Sequence, residues 1–143
     1  MNSKNKGNLG EIKTLCKFIS LNVPVYIPFG DNERADIIAE FNNKLNKIQV
    51  KSASLKKNGT CSFPLYSFSN TKNNNGKGYK KLFYKDEIDY YAFYNITEDK
   101  LFLYKNNDYN KNEVVIRYTP TKNNQSKRVI YYEINSFEAI INI

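Results

Sequence analysis

The pair Asn42-Asn43 sits between two runs that both read as strands. The first is Arg34-Ala35-Asp36-Ile37-Ile38-Ala39-Glu40-Phe41, and the second, after Lys44, is Leu45-Asn46-Lys47-Ile48-Gln49-Val50-Lys51-Ser52-Ala53. A polar turn this tight pairs its flanking strands antiparallel. Side chains alternate between the faces of a strand, so Gln49 and Lys51 share one face and Val50 turns into the core. Pairing about the turn sets position 36 roughly opposite positions 49 to 51. A carboxylate, an amide and an ammonium thus converge on one patch. Hard oxygen ligands suit Mg²⁺, and a lysine point charge suits a phosphate or the water that attacks it.

Asp36 followed by Gln49-Val50-Lys51 resembles the core of the PD-(D/E)xK nucleases. More narrowly it resembles the branch of group I intron-associated homing endonucleases, where Gln replaces the second acidic residue. The resemblance takes in Lys6-Gly7-Asn8-Leu9-Gly10-Glu11, the run from Val25 to Asp31, Ile88 to Tyr94 and Leu101 to Tyr104. The D…QxK pair alone has low specificity. The ordered run of a Gly-flanked Glu on a helix, an extended segment, a D strand and an IQVK strand has much more.

The resemblance implies an α/β fold of restriction-endonuclease type, with a mixed central sheet, an N-terminal helix and a β-rich C-terminal half, as one domain over residues 1–143. It implies a Mg²⁺-dependent (or Mn²⁺-dependent) endonuclease acting on double-stranded DNA. By the same likeness Asp36 is the central metal ligand, Glu11 holds a metal-bound water or a second metal, and the Val50 backbone carbonyl adds a ligand. Gln49 offers a weaker amide oxygen. Lys51 orients or deprotonates the attacking water and stabilises charge on the scissile phosphate. A homo-oligomer, dimer or tetramer, is also implied, with two Tyr-rich strands as one source of the contact. Two other functions fit the same residues: a junction-resolving nuclease on branched DNA, and a DNA-binding module that has lost cleavage. The intact Glu11, Asp36 and Lys51 argue against the second.

Charge agrees with a polyanionic partner: 22 Lys and Arg against 14 Asp and Glu give +8. There is no histidine and there are two cysteines, which excludes His-based metal sites, Ser-His-Asp triads and Cys-His nucleophiles. No apolar run resembles a signal peptide or reaches bilayer-spanning length, so a soluble, intracellular protein with no membrane partner is expected.

In chain order, Met1 to Lys6 is polar and expected to fray. Leu9, Ile12, Cys16 and Ile19, widened by Leu15 and Phe18, predict an amphipathic helix over residues 7–21 with Cys16 as a small core residue. Two roles are open to Glu11: complementing the helix dipole or reaching the metal patch. Asn22 ends the helix, and Pro24 and Pro28 mark a short or edge strand. Asp31 and Glu33 are spare carboxylates near the patch, read as loop formers rather than metal ligands. Lys47 shares the face of Gln49 and Lys51 and either meets phosphate or is solvated. Lys56 and Lys57 precede Asn58-Gly59, a hairpin signal that predicts a strand from Cys61 to Phe68 pairing back on the QVK strand. Ser52, close to the patch, is a candidate phosphate contact. The polar run from Ser69 to Lys81 is either a solvated loop or a DNA-contacting one, through Lys72, Lys77, Tyr79, Lys80 and Lys81. Tyr84 to Asp89 reads as a short helical turn, with Asp89 near the sheet end. Tyr90 to Ile96 and Leu101 to Tyr104 read as a hairpin whose tyrosines pack rather than stack on bases. Val114 to Tyr118 and Val129 to Ile134 are further strands, separated by a loop carrying Lys122, Lys127 and Arg128. Asn135 to Glu138 has a capping-box arrangement that opens a short C-terminal helix.

Overall fold

The computed structural model describes residues 1–30, 33–70, 79–107, 111–123, 129–132 and 137–141. Helix α1 (Ser3–Ser20) is followed by ten strands and a short helix α2 (Phe137–Ile140). The strands are β1 (Val25–Tyr26), β2 (Ile37–Phe41), β3 (Lys44–Ala53), β4 (Thr60–Pro64), β5 (Tyr66–Asn70), β6 (Tyr79–Phe83), β7 (Tyr90–Asn95), β8 (Lys100–Lys105), β9 (Glu113–Arg117) and β10 (Ile130–Tyr131). They form a five-stranded sheet in the order β1-β2-β3-β7-β8, a three-stranded sheet β10-β9-β4, and a ribbon β5-β6. The large sheet is mixed, because β3 and β7 run parallel while its other neighbours are antiparallel. No helix among the described residues is long and apolar enough to cross a membrane.

The β2-β3 hairpin forms as its sequence dictates. Asn42 and Asn43 have φ of 53° and 60°, the double left-handed pair of a two-residue turn that asparagine tolerates. Phe41 then pairs with Lys44 and Ile37 with Ile48. Asn46 is buried behind the turn, and its amide donates to the carbonyls of Ala39, Phe41 and Lys44 at 3.3, 3.1 and 3.0 Å. A buried polar group is thereby paired, and the hairpin is tied at its closed end.

Two apolar layers sandwich the sheet. On one face Ile37, Ala39, Phe41, Ile48, Val50, Ala92 and Leu103 meet Phe18 of α1 and Phe137 of α2. The Phe18 ring lies 5.0 Å from Phe137 and 6.0 Å from Phe41, centroid to centroid. On the other face Tyr91, Phe93 and Phe102 pack against Cys61, Phe63, Val114 and Ile116 of the small sheet, with Phe63 and Phe93 stacked at 4.4 Å. Strand β7 is covered on both sides, which is why Tyr90-Tyr91-Ala92-Phe93-Tyr94 shows no polar alternation. Strand β7 lies inside the large sheet, whose edge strands are β1 and β8.

Several expectations hold. Asn22 follows the helix in the left-handed conformation (φ 59°). The segment with two prolines is a two-residue edge strand. The β7-β8 hairpin, β9 and the C-terminal helix are present, and Tyr91 and Tyr94 are buried. The Asn135-Ser136 cap lies outside the described residues, as do Glu133 and Ile134. Tyr84 to Glu87 makes a single hydrogen-bonded turn rather than a helix (Glu87 N–H to Tyr84 carbonyl, 2.8 Å).

Three expectations are overturned. Helix α1 begins at Ser3, because Asn2 caps it by accepting from the Asn5 N–H at 2.9 Å. Its buried face is also shifted, although Phe18 and Leu15 of the expected stripe do pack in the core. Ile12 and Ile19 are 58% and 60% exposed and Cys16 is exposed, whereas Gly10, Thr14 and Phe18 are buried. The cause is a close crossing of α1 over β3. A Cβ at Gly10 would stand 2.1 Å from Ser52 Oγ and 3.2 Å from Val50 Cγ1. Thr14 tolerates burial because its hydroxyl donates to the Gly10 carbonyl at 2.7 Å. Finally, Asn58-Gly59 does turn the chain (Gly59 φ 82°), but β4 pairs with β9 and not with β3. The far edge of β3 is occupied by β7 in parallel, and the expected strand 61–68 breaks at Leu65 into β4 and β5.

Candidate active site

The site lies where β2 parts from β3. Regular pairing reaches Ile37 and Ile48. One residue earlier, the Asp36 N–H still donates to the Ile48 carbonyl at 2.9 Å. There the Asp36 carboxylate replaces a strand partner, accepting from the Val50 N–H at 2.9 Å. The N–H and C=O of one strand residue point to the same edge, so the Val50 carbonyl faces this gap too. The Gln49 amide reaches it, donating to the Val50 carbonyl at 3.3 Å. Gln49 is 9% exposed on one face of β3 while Val50 is 8% exposed and packed on the helix side.

Two further charges enter from other elements. Gly10 lets α1 rest on Val50 and Ser52, and the next residue, Glu11, is thereby delivered beside Asp36. Burial raises the Glu11 carboxyl above its ordinary range, and the charge of Asp36 raises it further. Asp36 is raised as well, by burial, against the opposing pull of the Val50 N–H and of Lys51. Lys51 is pushed down to about 8: burial dominates, Asp36 opposes it and Arg34 reinforces it. The Lys51 ammonium donates to the Tyr66 carbonyl at 2.9 Å and lies over the Tyr84 ring, 4.9 Å from its centroid.

The donor set can be tested against a divalent cation. No group of three or more His, Cys, Asp or Glu that could hold a metal occurs among the described residues. A cation here therefore draws on two carboxylates, Glu11 and Asp36, completed by neutral oxygens of Val50 and Gln49. These are hard ligands of the kind Mg²⁺ and Mn²⁺ take. Burial raises Glu11 most and the Asp36 charge adds to it; a cation between the two carboxylates would relieve that second contribution. The residues fit.

The remaining candidates scatter. Lys47 is exposed on the face of Gln49 and Lys51 and lines a 230 Å³ hollow with Pro28, Glu33, Arg34, Ile38 and Glu87. Ser52 is not brought to the group: it lies on the helix side, its hydroxyl buried beneath Gly10 with no hydrogen-bond partner among the described residues. Lys56 and Lys57 sit beyond the end of β3, lining an 800 Å³ cleft with Arg117 and Lys122. The Lys56 ammonium donates to Ser62 Oγ at 2.8 Å. Lys81 lies over the Tyr66 ring at 4.6 Å. Tyr79 and Lys80 belong to β6; Asp31, Lys72, Lys77, Lys127 and Arg128 lie outside the described residues. Asp89 ties β7 to β3, accepting from the Lys47 N–H at 2.8 Å and pairing with Lys44 at 3.1 Å.

Sequence reasoning missed Arg34 and Tyr84. Arg34 lies two residues before Asp36, a spacing that would have flagged it as sharing the carboxylate's face. Its guanidinium covers the Tyr84 ring at 4.1 Å, donates to the Leu82 carbonyl at 3.0 Å and stands 3.9 Å from Glu87. No local signal marks Tyr84, which arrives from beyond the β5-β6 ribbon.

The sequence matches the family model described as PD-(D/E)XK endonuclease over residues 1–140. No curated protein matches. Among solved structures the chain is similar to a bacterial homing endonuclease, I-Ssp6803I, with a TM-score of 0.70 and 18% identity over 89% of this chain and 84% of that one. At that identity the likeness concerns the fold, and the shared fold is of restriction-endonuclease type.

Proposed function

The chain belongs to the PD-(D/E)XK endonuclease family, and from that premise we propose that it cuts duplex DNA by metal-assisted hydrolysis of a phosphodiester bond. One observation carries the reading. Two carboxylates, a backbone carbonyl edge and a half-buried lysine meet at the divergence of β2 and β3. Asp36 and Glu11 would hold Mg²⁺ or Mn²⁺, with the Val50 carbonyl and the Gln49 amide adding neutral oxygens. Bound there, the cation would polarise a phosphoryl oxygen and offset charge on the attacked phosphate.

The chain's own groups divide the rest of the work. Lys51 presents a cationic donor to the phosphate and stabilises the charge that develops on it. With its pKa near 8, a neutral fraction exists near neutral pH that can accept a proton from the attacking water. The Val50 N–H fixes one oxygen of Asp36, so that carboxylate needs little reorganisation. Gln49 carries no charge, which leaves Glu11 as the second anionic ligand.

Lys47, Lys56, Lys57, Lys72, Lys77, Tyr79, Lys80 and Lys81 are proposed contacts to DNA. One such site cuts one strand, so a double-strand break takes two copies, and we place the chain in a homo-oligomer. The fold shared with a homing endonuclease supports duplex over branched DNA. The test is a randomised duplex library and a four-way junction, each with Mg²⁺ or EDTA. New ends in the duplex pool that need Mg²⁺ support the reading; preferential cutting of the junction replaces it with a resolving nuclease.

A further inference from the structure

We propose that Tyr84 is a positioning residue for Lys51, its ring face being the floor on which the ammonium rests. The proposal rests on the nuclease reading only for the task given to Lys51. The ring is 3% exposed and held from several sides. Its hydroxyl hydrogen-bonds Ser67 of β5, and its edge meets the Tyr91 ring at 5.7 Å and 83°. Arg34 covers it at 4.1 Å and is itself anchored to the Leu82 carbonyl of β6. Lys51, anchored to the Tyr66 carbonyl of β5, lies over the same ring at 4.9 Å.

A lysine side chain has four rotatable bonds and one point charge. A carbonyl at 2.9 Å fixes one N–H direction but leaves the ammonium free to swing about it. An aromatic face adds a second, broad attraction through its quadrupole, strongest where water is excluded. The two together confine the charge to the side of β3 that carries Gln49 and faces Asp36. Arg34 contributes by packing on the ring at 4.1 Å and helping to hold it in place. Tyr66 pairs with Phe83 and Ser67 with Leu82, so both cations grip the base of one ribbon. A ribbon that moves on binding DNA would therefore carry the floor of Lys51 with it.

The test varies the ring's electrons and leaves its shape nearly unchanged. Phenylalanine and its mono-, di- and trifluorinated forms are placed at position 84 through Tyr84→Phe. Single-turnover cleavage at saturating DNA and the Kd for DNA in EDTA are measured for each. In parallel, reductive methylation of the Lys51 amine is followed by peptide mass mapping, with exposed Lys47 as internal standard. The expected result is a cleavage rate that falls with each fluorine, by ~10-fold or more across the series. The Kd stays within ~2-fold, and Lys51 labelling rises in the same order. A cleavage series that is flat, or Lys51 labelling that is flat, overturns the proposal. Should even the wild type cut no DNA, the nuclease reading fails while labelling that rises with fluorination upholds the positioning role. Because every variant keeps a six-membered ring, loss of fold does not mask the outcome.

Discussion

Residues 48, 50 and 52 and residues 47, 49 and 51 alternate along one strand and meet opposite surroundings. The first set faces α1: Ile48 is fully buried, Val50 nearly so, and the Ser52 hydroxyl is closed under Gly10. The second set faces a carboxylate, a cation and an aromatic ring. One side is dry and apolar, while the other holds charge, half-buried at Lys51 and open to solvent at Lys47. The difference teaches that parity along β3 divides stability from chemistry. The helix side supplies the apolar burial that stabilises the fold, and the other side holds charges whose pKa values burial has moved against folding.

Substitutions on the two sides should therefore separate. Lys51→Ala is the largest expected effect on the charged side: single-turnover cleavage falls ~10²–10³-fold, while the midpoint of urea unfolding stays the same or rises because a desolvated cation is gone. Phe18→Ala is its counterpart on the helix side, costing ~3–5 kcal/mol of stability in urea unfolding, with the folded fraction cutting at nearly the wild-type rate. Gly10→Ala comes next. It drives a methyl into Ser52 Oγ and should cost ~1–3 kcal/mol as overpacking, read in the same unfolding assay.

Asp36→Asn sharpens the comparison through pH. The Asp36 carboxyl is raised in the folded protein, chiefly by burial, so its ionised form opposes folding. Above both the folded and unfolded pKa values the wild type carries that cost in full. As pH falls through the raised folded value the carboxyl takes up a proton and the cost disappears. Without metal, Asp36→Asn is expected to be more stable than wild type at pH 7, with the gap closing by about pH 4. The amide oxygen still accepts from the Val50 N–H, and cleavage is lost. The smallest effect is on the helix's outer side: Ile12→Asn should change stability by less than ~0.5 kcal/mol, whereas a buried Ile12 would make it one of the costliest.

How much of this could be read from the residues depends on the range over which each cause acts. The β2-β3 hairpin was legible because Asn42-Asn43 and the flanking alternation are local. The shared face of Asp36, Gln49 and Lys51 followed from it by counting. The β7-β8 hairpin and the proline-bearing edge strand are local too. The face buried by α1 was legible only in part: the apolar pattern includes Phe18 and Leu15, which pack in the core, but it also scores the exposed Ile12, Cys16 and Ile19 and ignores the buried Gly10 and Thr14. Those two positions are selected by how closely the helix approaches β3, which no apolar scale measures. The partner of β4 was hidden for another reason. Asn58-Gly59 fixes a turn but not the neighbour beyond it, and β7, some forty positions after β3, had already claimed that edge. Arg34 and Tyr84 meet only through the folding of the β5-β6 ribbon between them.

Whether one metal-assisted active site lies at Asp36 and Lys51 is decided by comparing cutting with binding. Wild type, Asp36→Ala and Lys51→Ala are incubated with a randomised duplex library in Mg²⁺ or EDTA, and new ends are counted while DNA binding is measured in EDTA. Mg²⁺-dependent ends are expected from the wild type alone, with both variants binding DNA within ~3-fold of it. Ends that persist in EDTA, or an Asp36→Ala protein that cuts at the wild-type rate, would contradict a metal-assisted site at Asp36.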